Sequence, residues 1–507
     1  MAFFGPALQW VNREIGFKTL FHADRDTHLI LLCRFLRMFA YGAVALILAI
    51  FLWTNGVKGQ QIGTFMTLTL LGDAAISFLL TLAADKIGRR RVLFVGSLLM
   101  AFSGTVFALT RMYWLLVLAA IIGVISPGAH EVGPFRAVEE SILAQLSPIE
   151  TRTDIYAWYA VLSTFGMACG LAASGWLAYA IRTIWDVKWS AAFPHIFWMY
   201  AAIGVIKAIL TLCLTEACEA DIQPEETMES ESTTLLQGRR SSVAKTTVSA
   251  LEMASKPLKT KLSKESKGIL IKLCMLFAVN AFASGMLPVT LMSMYTNWRF
   301  RYFVHHRLGN IMAAMWFASS ISNLFSASVA RRIGLVKAMV FTHLPGAILL
   351  GFIPLAQSWF ALAVLIILRA AFNSMDQAPR SAFVAAVFLP EERTAVMGTI
   401  NLVKTLGQAA GPLITGVLID RKKWWVGFVI GAVLKVIYDI GLLAMFLKTK
   451  VPEHGRRPRQ TPVTEMDVVT LMGGELLPLG QEDDDDDADE GEPSEGSKVQ
   501  YEWGEDV

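Results

Sequence analysis

Thr81-Leu-Ala-Ala-Asp85-Lys86-Ile-Gly88-Arg89-Arg90-Arg91 sits between two apolar runs, 62 to 83 and 92 to 110. A short charged turn of this kind is what a chain needs when it leaves hydrocarbon and turns back into it, since about 20 apolar residues cross the bilayer core at 1.5 Å rise per residue. The same alternation continues in both directions. Before the turn lies an apolar run at 29 to 53, and after it come runs at 113 to 135, 155 to 181 and 193 to 215. Beyond a polar interval follow 269 to 295, 309 to 330, 335 to 356, 359 to 388, 395 to 419 and 424 to 447. The expectation is an all-α membrane protein with twelve spans, numbered here in chain order.

Composition agrees. Of 507 residues, 54% are hydrophobic and 17% charged, with mean hydropathy +0.49, and the apolar excess is gathered into long runs. The cysteines, Cys33, Cys169, Cys213, Cys218 and Cys274, lie mostly in those runs without metal-like spacing, so neither a disulfide framework nor a metal site is expected. No cleavable signal peptide is visible. Trp10 to Phe21 reads as a short amphipathic helix on the membrane surface.

The organisation read from the sequence is an N-terminal segment, 1–28, a first six-span bundle, 29–216, a charged linker, 217–268, a second bundle, 269–448, and an acidic tail, 449–507. Linker and tail carry too little apolar surface to fold alone. The tail holds Glu482 followed by Asp483 to Asp487, and then Asp489 and Glu490. Within the linker, Arg239-Arg240-Ser241-Ser242 is a possible kinase target, and Glu231-Ser-Thr-Thr-Leu235-Leu236 resembles an acidic dileucine sorting signal. The address is therefore the plasma membrane or a vacuolar or endosomal one. Even parity puts both ends and the linker on one side, expected to be the cytosol. Lys86 and Arg89 to Arg91 agree with that assignment, whereas Arg299, Arg301 and Arg421 to Lys423 run against it.

A shift of 241 residues superposes Arg152-Thr153 on Arg393-Thr394, Thr164 on Thr405, Gly166 on Gly407, Gly170 on Gly411 and Gly175 on Gly416. At nearby offsets Pro134 falls on Pro379, Glu131 on Asp376 and Lys86-Ile-Gly88 on Arg332-Ile-Gly334. The chain is a duplication. Two like bundles related by an axis along the membrane normal enclose a cavity where they meet, and rocking about it gives alternating access. Gly166/Gly170 and Gly407/Gly411 are small residues at four-residue spacing that let helices approach closely, so helix packing explains each glycine as well as a transport role does.

The loop Thr81 to Arg90 resembles the signature of the major facilitator superfamily, Gly-x-x-x-Asp-Arg/Lys-x-Gly-Arg-Arg, with Thr81 in place of the first glycine. Its second-half copy, Ala330-Arg-Arg-Ile-Gly-Leu335, lacks the Asp. Arg369, Met375 to Arg380 and Gly411-Pro412 also resemble this superfamily, and the similarity covers about residues 28 to 450. The kinship implied is with fungal-type permeases and efflux transporters of two pseudo-symmetric six-helix bundles. The resemblance implies a gating loop at Asp85, Lys86, Gly88, Arg89 and Arg90, with the Asp85 carboxylate pairing across the interface of the halves in one state. The alternative is that the basic residues anchor to lipid phosphates.

Charged groups at bilayer depth are costly unless they face water or a partner, so each is a functional candidate. Asp73 lies roughly 18 Å into span 2 at the helical rise, near the midplane, where a carboxyl can carry a proton or be held permanently by neighbours. Arg369, Asn373, Asp376 and Arg380 fall on one stripe of span 10, which implies a wet cavity. Span 4 holds the counterpart, His130, Glu131 and Arg136, followed by Glu139 and Glu140, and its Pro127, Gly128, Gly133 and Pro134 are expected to bend it. Arg34 and Arg37 share a face of span 1, and snorkelling to headgroups accounts for Arg34. Lys404 and Gln408 lie deep in span 11. Lys435 and Asp439 in span 12 are spaced for a mutual salt bridge, and Lys207 in span 6 shows no partner.

Arg37, Arg369, Arg380 and Lys404 against Asp73, Glu131 and Asp376 give a pathway richer in positive charge. With Arg136 and Asn373 these residues form the expected solute and proton route, and an organic anion or zwitterion is the expected solute. The reading is a proton-coupled secondary transporter, with export favoured because Gly166-x-x-x-Gly170 resembles an antiporter motif, although Leu171 replaces its usual proline. No nucleotide-binding signature, cofactor or nucleic-acid partner is expected. A membrane enzyme would need clustered catalytic groups, and His305-His306 stands in an outer loop without an acid motif. A non-transporting sensor or scaffold with a transporter fold is the other alternative.

Overall fold

The computed structural model describes residues 17–123, 125, 134–219, 264–300, 305–388 and 392–447, which belong to one compact unit. Most of the linker read at 217–268, the tail read at 449–507, and His130, Glu131 and Arg301 lie outside these residues, as do the side chains of Asp85 and Lys86.

The described residues form helices joined by short connections. A short α1, Phe17–Phe21, leads into α2, Arg25–Thr54, then α3, Gly59–Ile87, α4, Arg89–Leu109, α5, Tyr113–Ile122, and α6, Pro134–Leu146. Next come α7, Ile149–Trp185, α8, Trp189–Leu212, α9, Lys264–Met286, α10, Val289–Arg299, α11, His305–Ile333, and α12, Leu335–Phe352. The series ends with α13, Trp359–Ser374, α14, Gln377–Val387, α15, Arg393–Asp420, and α16, Trp424–Phe446. Among the described residues nine segments are long and apolar enough to cross a membrane. Helices α3 and α11, at 29 residues each, also have the length to cross. Both pack along the other half of the molecule, α3 against α15 and α11 against α7.

Two of the spans are broken. Span 7 divides into α9 and α10 at Leu287-Pro288, because proline has no N–H for the helical ladder. Span 10 divides into α13 and α14 at Met375-Asp376. Span 4 is represented by α5 and α6 on either side of the bend expected at Pro127 to Gly133, which lies outside the described residues.

The duplication is visible in how glycine packs. On α7, a Cβ at Gly166 or Gly170 would stand 2.6 and 1.9 Å from the carbonyl oxygens of Phe35 and Phe39 on α2. On α15, one at Gly407 or Gly411 would stand 2.8 Å from the Ala278 carbonyl oxygen and 2.3 Å from the Gly285 carbonyl carbon on α9. Gly175 in the same way abuts the backbone of His305 and Gly309 on α11, and Gly416 that of Gly59 and Gly63 on α3. Matching glycines thus make matching contacts, one seam inside each half and two between the halves. Gly88 and Gly334, with φ of 104° and 87°, open α4 and α12 in a backbone conformation that side chains disfavour, which is why both copies of the turn end in glycine.

The seams between halves close one end of the molecule. There Asp420 accepts the backbone N–H groups of Gly59 at 2.6 Å and Gln60 at 2.9 Å, and Thr67 donates to the Ala409 carbonyl at 2.6 Å. On the opposite side Trp176 donates to Asn310 at 3.1 Å. Towards the other end, where Gly88 lies, the halves part around a cavity.

Candidate functional site

The cavity measures about 730 Å³ and is walled by α6 from the first half and by α9, α12, α13, α14, α15 and α16 from the second. Its charged wall residues are Arg136, Arg380, Lys404 and Lys435 against Glu140 and Asp376. Each carboxylate is taken by an arginine one turn away: Arg136 Nε donates to Glu140 at 2.7 Å, and Arg380 pairs with Asp376. Lys404 and Lys435 remain with no carboxylate partner among the described residues.

Lys435 is the hub of the wall. Its Nζ lies 2.9 Å from Ser284 Oγ, 3.1 Å from Asn280 Oδ1, 3.2 Å from Asn373 Oδ1 and 3.4 Å from His343 Nε2. On the far side of the imidazole, Nδ1 is 2.9 Å from both carboxylate oxygens of Asp439. The salt bridge expected between Lys435 and Asp439 is therefore not made. Four-residue spacing puts both on one face of α16, but that face meets α12, α13 and α9, and each side chain turns to a partner there. His343 carried no signal in the sequence, since a single histidine in an apolar span has no pattern to mark it.

The expected pathway residues divide between this wall and other places. Arg136, Asn373, Asp376, Arg380 and Lys404 line the cavity. Arg369 is half-buried on α13 with its Nε unbonded. Asp73 is fully buried on α3, within electrostatic reach of the stacked rings of Tyr41 and Tyr200.

Arg37 lies in a separate cluster inside the first half. Its guanidinium grips the Glu139 carboxylate at 2.5 and 2.6 Å and lies 4.7 Å over the Phe135 ring. Tyr159 donates to the same carboxylate at 2.8 Å. Arg34, expected to snorkel, is instead buried, donating to Ser163 at 2.8 Å with its guanidinium 4.4 Å over Tyr159. Lys207, which lacked a partner in the sequence, sits 4.6 Å over Phe135 and shares a small void with Glu139 and Cys33. Glu139 joins this cluster through Arg37 and Tyr159; its pairing with Arg37 spans 102 residues of sequence, beyond any local spacing rule.

Comparison with known proteins settles the family. The model of the Major Facilitator Superfamily matches residues 30–304 and 273–479. The chain belongs to the major facilitator superfamily. It is 34% identical over 429 residues to the uncharacterized membrane protein YJR124C of Saccharomyces cerevisiae, covering 84% of this chain and 95% of that one. It is 21% identical over 389 residues to the quinolone resistance protein NorA of Staphylococcus aureus, covering 76% of this chain and 88% of that one. Among solved structures, the nucleoside transporter NupG shares the fold with a TM-score of 0.61 at 15% identity, covering 84% of this chain and all of that one. The protein is an integral, multi-pass membrane protein with the superfamily fold, and a secondary transporter is the function that fold and family support.

In this superfamily chain the signature loop is held from its own half. The Arg89 backbone N–H donates to the Glu219 carboxylate at 2.6 Å, and Arg89 Nη1 donates to Gln145 Oε1 at 2.8 Å. Gln145 in turn donates to the carbonyls of Ala217 and Glu219. A Cβ at Gly88 would fall 3.2 Å from the Glu219 carboxylate. The segment after α8 is thus fastened to the loop, and it is fastened a second time where Asp26 accepts from Thr215 and Cys218.

Proposed function

We propose that this protein is a proton-coupled secondary transporter of small organic anions that works by alternating access. The observation that carries the substrate class is the charge of the cavity wall, where Arg136 and Arg380 are matched by Glu140 and Asp376 while Lys404 and Lys435 are not. A charge held in low dielectric without a counter-ion favours a solute that brings one. A zwitterion that presents its carboxylate to these lysines fits the same wall.

With the Gly88 end in the cytosol, the state described is open to the cytosol and sealed outside by the Gly59–Asp420 and Gly175–Gly309 seams. Reversal parts those seams and closes the cavity between α6 and α14, with the Gly88 loop as the gating element. Asp73, Glu131 and Asp376 are the acidic candidates for carrying the proton. Export is the proposed direction, supported by the Gly166-x-x-x-Gly170 run and by the likeness to a protein named for quinolone resistance.

The test is flux in vesicles carrying the purified full chain. An imposed proton gradient is expected to drive uptake of organic anions from a panel that also contains neutral and cationic solutes, and Lys404→Met is expected to weaken anion selectivity. Absence of substrate-dependent flux for the whole panel, with the protein folded, favours a non-transporting sensor and overturns the proposal.

A further inference from the structure

We infer that Lys435, His343 and Asp439 form one linked site for a proton and a carboxylate, in which a proton taken up by His343 frees Lys435 to bind the solute's carboxylate in the cavity. The inference rests on the transporter reading and assigns its coupling to groups outside the stripe of acidic candidates.

The proton count along the chain of contacts decides the resting state. An ammonium has three N–H groups and no acceptor, and Lys435 has four acceptors around it, all of them neutral. The imidazole nitrogen facing Lys435 must present its lone pair, so the ring proton sits on Nδ1 and is donated to Asp439. All three side chains are buried, yet Lys435 and His343 reach the cavity wall while Asp439 stands behind them. The order is cavity, ammonium, imidazole, carboxylate.

A second proton on the ring adds an N–H at Nε2 that points at the ammonium 3.4 Å away. Donor then faces donor and cation faces cation, while Asp439 on the far side still accepts from Nδ1. Lysine answers by swinging its flexible stem, which turns the ammonium towards the cavity and its solvent. The groups that face the imidazole are Asp439, Lys435 and the Tyr438 ring from α16 and the Asn373 amide from α13, whose oxygen Lys435 shares, with Arg369 from α13 and Arg380 from α14 as further positive charge. Arg380 is already paired with Asp376, and Lys435 is the cation that stands at hydrogen-bond distance from Nε2, so it is the one displaced. The converse also holds: a carboxylate that draws Lys435 away exposes the Nε2 lone pair to protonation. Proton and anion therefore favour each other's binding, and the linkage is reciprocal.

The ligand class follows. The site takes one carboxylate, bound as the charged form, and Phe277, which lines the same cavity under the Arg380 guanidinium, adds apolar surface for its body. Coupling of this sense carries solute and proton together towards the alkaline side. Across a membrane that is acidic outside, this coupling drives uptake in place of the export proposed above, so the direction of proton-driven flux separates the two.

Benzoate serves as the probe, with binding to the detergent-purified full chain followed by calorimetry at several pH values in buffers of different ionisation heat. Wild type is expected to take up about one proton per benzoate and to bind about tenfold more tightly for each unit fall in pH above neutrality. His343→Gln and His343→Asn, each checked by thermal melting, are expected to bind benzoate without proton uptake and with an affinity that no longer changes with pH. Lys435→Met is expected to lose binding. The inference is overturned if wild type fails to bind benzoate, binds it without proton uptake, or if the folded His343 variants keep the slope. Flux of other solutes that is indifferent to His343 would defeat this coupling and leave the transporter intact, whereas loss of all flux would defeat the transporter itself.

Discussion

The Asp420 carboxylate caps the N-terminus of α3 from the other half of the molecule, receiving the Gly59 N–H at 2.6 Å. The Gln60 N–H joins it at 2.9 Å, so two of the helix's unsatisfied donors meet a negative charge where the helix dipole is positive. The contact exists only while this end is closed.

Asp420→Ala should therefore favour the state open at that end. Loss of charge-assisted hydrogen bonds of this kind is worth about 2 kcal/mol, a shift of roughly thirtyfold in the ratio of states. The measurement is the alkylation rate of a cysteine placed at Thr64, which should rise in the variant; an unchanged rate would show that the cap does not hold the seam.

Glycine substitutions should sort by what they meet. Gly170→Ala puts a methyl against the Phe39 carbonyl and is expected to lower stability by about 1–3 kcal/mol. Gly398→Ala, inside α15 with open space around it, should be neutral or stabilising by up to about 1 kcal/mol. Melting of the detergent-purified variants compares them, and equal midpoints would refute the packing account.

The Arg37–Glu139 pair is buried on both sides, so breaking one partner leaves a charge without compensation. Glu139→Gln or Arg37→Met alone should cost about 3–5 kcal/mol, and the double variant less than the sum. Strict additivity in thermal or denaturant unfolding would argue against direct coupling.

Cys218 should resist alkylation. Burial pushes its thiol up to about 12, helped by the hydrogen bond to Asp26, so the thiol stays neutral through the physiological range and ionises only as pH rises far above it. Iodoacetamide at pH 8 should label exposed Cys213 well before Cys218, and Asp26→Asn should speed Cys218; mass spectrometry reads both.

How much of this was written in the sequence depends on whether the cause was local. Close approach of two backbones demands glycine at fixed positions, so Gly166/Gly170 and Gly407/Gly411 announced both the repeat and its packing. The stripe Asn373, Asp376 and Arg380 was legible because one helix presents one face to one cavity. Lys435 misled because helical period says which residues share a face but not what stands opposite. Its acceptors Asn280 and Asn373 come from helices 155 and 62 residues away in sequence, and Asp439 finds His343 across 96. Span 10 read as continuous because nothing in Met375-Asp376 forbids a helix.

The Gly59–Gly416 and Gly175–Gly309 approaches bring main chain against main chain, leaving no gap wide enough for a water molecule. Hydronium travels along files of water, so a plug of this kind is insulating as well as steric. With the cavity open on one side, backbone contact at these two crossings leaves no room for a file of water between the glycines.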